Sequence, residues 1–227
     1  MLKLIIIILL LPVTLFADLP KIGEVVQSSG RIDIIAAECS SYNCKRDGKI
    51  IYPGDRILSA PSARAKILLK DGTGIEIINN CSFIVENIRR KEKDKPSFLR
   101  VQYGTFTINQ VNRFTDTSLV IETESAIIKS VSSSLYIIAA GEETAVMVYS
   151  SRAGIASTDP SIKRAYVLTE GDQTLVPKNR APENPDRVDI LLRGSWLTKH
   201  HLSNDLSRVI IRKQDSSIVD WIFRNRD

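Results

Sequence analysis

The residues in this 227-residue chain that could do chemistry are few, and their spacing argues against catalysis. The two histidines, His200 and His201, are adjacent, so on a strand or a helix they face different ways. No cysteine or carboxylate stands at metal-ligand spacing around them. Ser132-Ser133-Ser134 has no base nearby and reads as a turn, and no Gly-x-Ser-x-Gly elbow occurs anywhere. Phosphate-binding glycine loops, His-Glu-x-x-His and calcium-loop patterns are also missing from the sequence. Glu142-Glu143 lies at a turn, where solvation is the default. The expectation is a non-enzymatic chain with no cofactor and no metal.

Three cysteines remain. Cys39 and Cys44 bracket a polar stretch, and in an oxidising compartment a Cys39–Cys44 disulfide is the expected pairing. The alternatives are that both stay reduced or that one pairs with Cys81. Cys81, just before Phe83, reads as a small buried residue.

The compartment is read from the N-terminus. One positive charge at Lys3, an apolar run from Leu4 to Phe16 and the small Ala17 before Asp18 make residues 1–17 a signal peptide. The run is short for a membrane span, although an uncleaved inner-membrane anchor is the alternative. Either way a periplasmic or secreted location follows. Lys and Arg number 31 against 26 Asp and Glu, a net charge of +5. That excess is too small and too evenly spread for a nucleic-acid footprint.

The elements that position these residues are strands. Ala65, Ile67 and Leu69 alternate with Lys66 and Lys70, and the Asp71-Gly72 turn leads into Ile75 and Ile77. Pro53-Gly54-Asp55 is another turn. Residues 89–95, all charged, read as a solvated hairpin loop. Short runs continue at Leu99–Tyr103, Phe106–Ile108, Leu119–Glu122, Ala126–Ile128, Leu135–Ala139, Ala145–Tyr149, Gly154–Ala156, Tyr166–Thr169 and Thr174–Val176. The fold class predicted is all-β: many short antiparallel strands in a β-roll, solenoid-like or sandwich arrangement. Residues 18–177 form that domain and 178–187, with prolines, form a linker. Residues 188–227 form a small C-terminal appendage of mixed or β structure, too apolar for a disordered tail.

These motifs, in this order, resemble the FecR domain. The matching residues are Gly54-Asp55-Arg56-Ile57, Ser62-Ala63-Arg64-Ala65, Leu69-Lys70-Asp71-Gly72-Thr73, Asn80-Cys81-Ser82, Tyr103-Gly104-Thr105-Phe106, Thr123-Glu124-Ser125-Ala126 and the closing Glu170-Gly171-Asp172-Gln173. The resemblance covers about residues 22–177. It implies an envelope module whose best-known relatives are anti-sigma regulators with a cytoplasmic region and a membrane helix. Only three residues precede the apolar run here, so a free-standing extracytoplasmic module is expected. One departure is plain: where the family has Gly-Val-Arg-Gly-Thr, this chain reads Lys129-Ser130-Val131-Ser132-Ser133. Any role of that arginine is not carried over.

Two functions are therefore expected. In the first, another envelope protein binds, by adding a strand to an edge such as Ile22–Val26 or Thr174–Val176. In the second, a glycan or cell-wall polymer binds exposed aromatics, with Tyr136, Tyr149, Trp196 and Trp221 as candidates. Burial of the Tyr136 and Tyr149 rings would remove that second reading.

Overall fold

The computed structural model describes residues 20–39, 44–88, 96–110 and 118–188. Residues 1–17, read as a signal peptide, residues 89–95, read as a hairpin loop, His200-His201, Trp196, Trp221 and the expected appendage lie outside the described residues. Within them every regular element is a strand: β1 (Gly23–Ser29), β2 (Ile32–Ile35), β3 (Ile50–Ile51), β4 (Arg56–Ser59), β5 (Arg64–Leu69), β6 (Gly74–Asn87), β7 (Ser97–Asn109), β8 (Leu119–Glu122), β9 (Ala126–Ala140), β10 (Glu143–Ser157), β11 (Ala165–Thr169), β12 (Asp172–Pro177) and β13 (Asp186–Arg187). They form one open 13-stranded sheet, antiparallel except where β8 runs parallel to β7.

Several stretches that the alternation divides into separate short strands are continuous. β7 runs through Gly104, β9 through Ser132-Ser133-Ser134, and β10 joins the Ala145–Tyr149 and Gly154–Ala156 runs. The serine triplet is thus the middle of a strand and not a turn. Each long strand bends there and changes partners. The early half of β6 pairs with β5, its later half with β4. β7 pairs with β8 before its bend and with β9 after it, and β10 pairs with β12 before and β11 after.

The bends share a conformational mark. Gly30, Ser62, Gly104, Ser132, Ser151 and Gly171 all have positive φ. Gly30 separates β1 from β2, Ser62 separates β4 from β5, and Gly171 separates β11 from β12, so these pairs act as interrupted bent strands. The bends stack as neighbours. Ser62 N–H donates to Asn79 Oδ1 at 3.0 Å, Ser133 Oγ to the Arg152 carbonyl at 2.6 Å, and Gly171 N–H to the Val148 carbonyl at 2.8 Å. At Gly104 the approach is so close that a Cβ would lie 2.2 Å from Cys81 Sγ. A glycine is required there sterically and by its φ of 134°.

This line of bends folds the sheet over itself around one apolar core. Ile67, Ile75, Phe106, Ile137 and Val146 meet Ile57, Phe83, Leu99, Ile121 and Ile155. Phe83 and Phe106, from the two halves, stack across it with centroids 6.3 Å apart. The stretch expected to be a linker instead lies along β12. Lys178 N–H donates to the Glu142 carbonyl, Glu183 N–H to the Leu175 carbonyl, and β13 pairs with the start of β12.

Candidate interaction surface

The first layer of organisation is the loop between β2 and β4. Asp55 is fully buried, and its carboxylate is fully engaged. It accepts from Arg46 Nε at 2.7 Å and Nη2 at 2.8 Å, from Tyr52 N–H at 2.9 Å and from Ala37 N–H at 3.3 Å. The hydrogen bond to Asp55 raises the Arg46 pKa against the opposing effect of burial. The guanidinium also lies 4.7 Å over the Tyr52 ring and 3.3 Å from Glu38. Gly54, with φ 84°, donates its N–H to the Val85 carbonyl. Cys39 and Cys44 are joined by a disulfide in this same loop. The loop is therefore pinned at both ends, and it delivers Ile50 and Ile51 into β3.

The surface so built is the outward face of β3, β1 and β5. Ile50 and Leu68 both register with Glu24 on β1. They are 42% and 46% exposed, and Val26, the extra residue in a β1 bulge, is 49% exposed. Three of the four large exposed apolar residues among the described ones thus lie on one face. Lys49, Arg64, Lys66 and Lys70 border it; all are exposed, and none forms an ion pair among the described residues. Glu24, paired with Lys21, stands between Ile50 and Leu68, so the face mixes exposed apolar side chains with charge, as protein contacts do. Covering what remains exposed of three such side chains would contribute about 2–4 kcal/mol. That alone corresponds to no better than about millimolar binding.

The sequence conceals this face behind apolar doublets. Val25-Val26, Ile50-Ile51 and Leu68-Leu69 each put one residue into the core and the other outside. Leu68 sits where the alternation Lys66-Ile67-Leu68-Leu69-Lys70 calls for a wet residue. The break in alternation is the signal that could have found it.

Strand addition at the two expected edges is not offered. Ile22–Val26 is flanked by the two-residue β3, by the bulge and by lysines, all devices that blunt an edge. Thr174–Val176 is strapped by residues 183–188, with Pro177, Pro182 and Pro185 alongside.

Of the aromatic candidates, Tyr136 and Tyr149 do not form an exposed platform. Tyr136 is 2% exposed, and burial raises its pKa. Tyr149 is half-buried, edge-on to it at 6.2 Å between centroids. The other motif residues build turns. Asp71 Oδ1 accepts from Thr73 N–H at 2.9 Å, Gly72 has φ 92°, and Asp172 Oδ2 accepts from Thr169 N–H at 2.8 Å. Gln173 registers between Met147 and Asp186. Thr123 Oγ1 accepts from Ala126 N–H at 2.9 Å and meets Thr144 Oγ1 at 2.7 Å, with Ser125 Oγ donating to Thr144 Oγ1 at 2.7 Å. These hydroxyls are buried and saturate one another. Burial also pushes the Cys81 thiol up to about 12, so it is inert. No group of three His, Cys, Asp or Glu among the described residues could hold a metal ion.

No family model matches this chain, and no curated protein matches it. Two solved structures, both described as a putative anti-sigma factor from Parabacteroides distasonis ATCC 8503, are similar in fold. Each is 16% identical, with TM-scores of 0.50 and 0.51. The match covers 63% of this chain and 65% or 64% of those chains, so it spans slightly less than two thirds of their length.

Proposed function

We propose that this chain is a non-enzymatic, extracytoplasmic FecR-like binding module, and that a protein of the cell envelope docks on the outward face of β3, β1 and β5. The observation that carries the reading is Ile50, Leu68 and Val26 standing exposed on one face around Glu24, with Lys49, Arg64, Lys66 and Lys70 at its border. A partner that fits it presents an apolar patch edged by carboxylates. The Cys39–Cys44 disulfide supports an oxidising compartment, which agrees with residues 1–17 acting as an export signal. The fold shared with the two Parabacteroides structures described as a putative anti-sigma factor supports a regulatory or protein-contacting role. A glycan-binding reading keeps only Trp196 and Trp221, and no observation favours it.

The test is site-directed photo-crosslinking in intact cells. A photoreactive residue at position 68 or 50 is expected to yield one discrete adduct with an envelope protein. The same probe at Glu142, 87% exposed at the turn between β9 and β10, yields none. Leu68→Glu, read from a probe at position 50, should abolish the adduct, and high salt should weaken it. Equal labelling from positions 68 and 142, or an adduct indifferent to Leu68→Glu, would discard the surface.

A further inference from the structure

A second apolar cluster lies on the side of the sheet away from the core, and it is separate from the face just described. Tyr136, Ala145 and Met147 alternate with Leu135, Ile137, Val146 and Val148, which point inward. Tyr136 registers with Met147 across β9 and β10, and Ala145 registers with Leu175 on β12. The three are only 2%, 6% and 1% exposed. Ile78, Ile138, Tyr149, Leu175 and Val188 pack around them, partly buried. The outward face of an antiparallel sheet is normally wet, and shutting side chains off there takes a further layer.

The low exposure on this face extends beyond the cluster. Val120, Lys129 and Gly154 register in one outward row of β8, β9 and β10. Val120 is 3% exposed, and Lys129 is desolvated enough that its pKa falls to about 8. Val188 is the last described residue. It sits on the patch, its N–H bonded to the Gly171 carbonyl at 2.8 Å. The chain continues from that point with residues 189–227, which include Leu191, Trp196, Ile210, Val219, Trp221 and Phe223.

We propose that residues 189–227 dock on the outward face of β9, β10 and β12, so that this patch is an internal interface of the chain. The point of departure at Val188 puts the segment beside its site. Tethering gives it an effective concentration on the order of millimolar, which a separate partner or a second copy would have to outcompete. An apolar segment of this composition gains by covering an apolar face and loses by staying in water.

Both tryptophans of the chain, Trp196 and Trp221, lie in this segment, so tryptophan fluorescence reports on it alone. In the full mature chain, acrylamide quenching is expected to be several-fold weaker than for free tryptophan amide. Leu175→Glu and Ile138→Lys, at the partly buried border, should each raise quenching and speed tryptic cleavage at Arg193 and Lys199. Leu68→Glu, on the other face, should change neither. Two border variants are used so that one may lose its strand signal without removing the test. Wild-type quenching equal to that of free tryptophan amide would overturn the proposal. So would quenching indifferent to border variants that keep their strand signal. Protection that disappears on dilution would replace the segment with a second copy.

Discussion

Arg46 grips Asp55 with two parallel hydrogen bonds of 2.7 and 2.8 Å, and the carboxylate it holds has no exposure at all. The pair ties the disulfide loop to the turn that starts β4. Arg46→Ala would leave a buried charge with only backbone donors. It is expected to cost about 3–5 kcal/mol, read as a lower urea midpoint with an unchanged slope. Arg46→Lys should recover little, because an ammonium cannot make both bonds.

Gly104 and Cys81 make the tightest bend in the sheet. Gly104→Ala should cost about 3 kcal/mol or more in thermal or urea unfolding, through overlap with Cys81 and through its φ of 134°. Removing the sulfur in a Cys81→Ala, Gly104→Ala double variant should not restore stability. The added Cβ would still lie 2.7 Å from the Cα of residue 81.

Ser132 offers the opposite case. It is exposed and holds φ at 50°, which a side chain with a Cβ adopts at a cost. Ser132→Gly is expected to stabilise by about 0.5–1 kcal/mol, since relief of strain exceeds the entropy a glycine loses. Ser132→Ala, which keeps the Cβ, should give no gain. Differential scanning calorimetry of the two variants separates these outcomes.

Lys129 makes stability depend on pH in the alkaline range. Its folded pKa is lowered from 10.5 to about 8 by desolvation. The unfolded chain then binds more protons between these values, so the contribution of Lys129 to stability rises as pH increases through that window. Below about pH 8 the folded protein carries the full cost of a half-buried charge. Lys129→Met should lose this dependence, so the parent gains stability relative to the variant as pH rises from about 8 to 10.5. Urea midpoints at pH 7, 8.5 and 10 check the sign.

Period-two alternation makes the inner face legible: Ala65, Ile67 and Leu69 are read from it directly and are buried. It fails at the bends. Gly104 and the 132–134 serines look like strand ends, because glycine and serine usually punctuate, whereas here they let a strand turn a corner without losing its pairing. The Arg46–Asp55 pair is invisible because nothing local joins residues nine apart across a loop. The resemblance did mark Gly54-Asp55, though not the partner. The exposed trio was readable in part, since each member breaks alternation as half of an apolar doublet. What no pattern conveys is that Ile50 and Leu68 both lie beside Glu24, which only the pairing of β3, β1 and β5 establishes.

The bent strands belong to both halves of the folded sheet at once. A hinge needs two bodies joined by a few soft residues, and here β6, β7, β9 and β10 all cross the would-be joint as paired backbone. Neither half can therefore fold, slide or swing without the other. Load placed on one half is therefore borne by strands shared with the other.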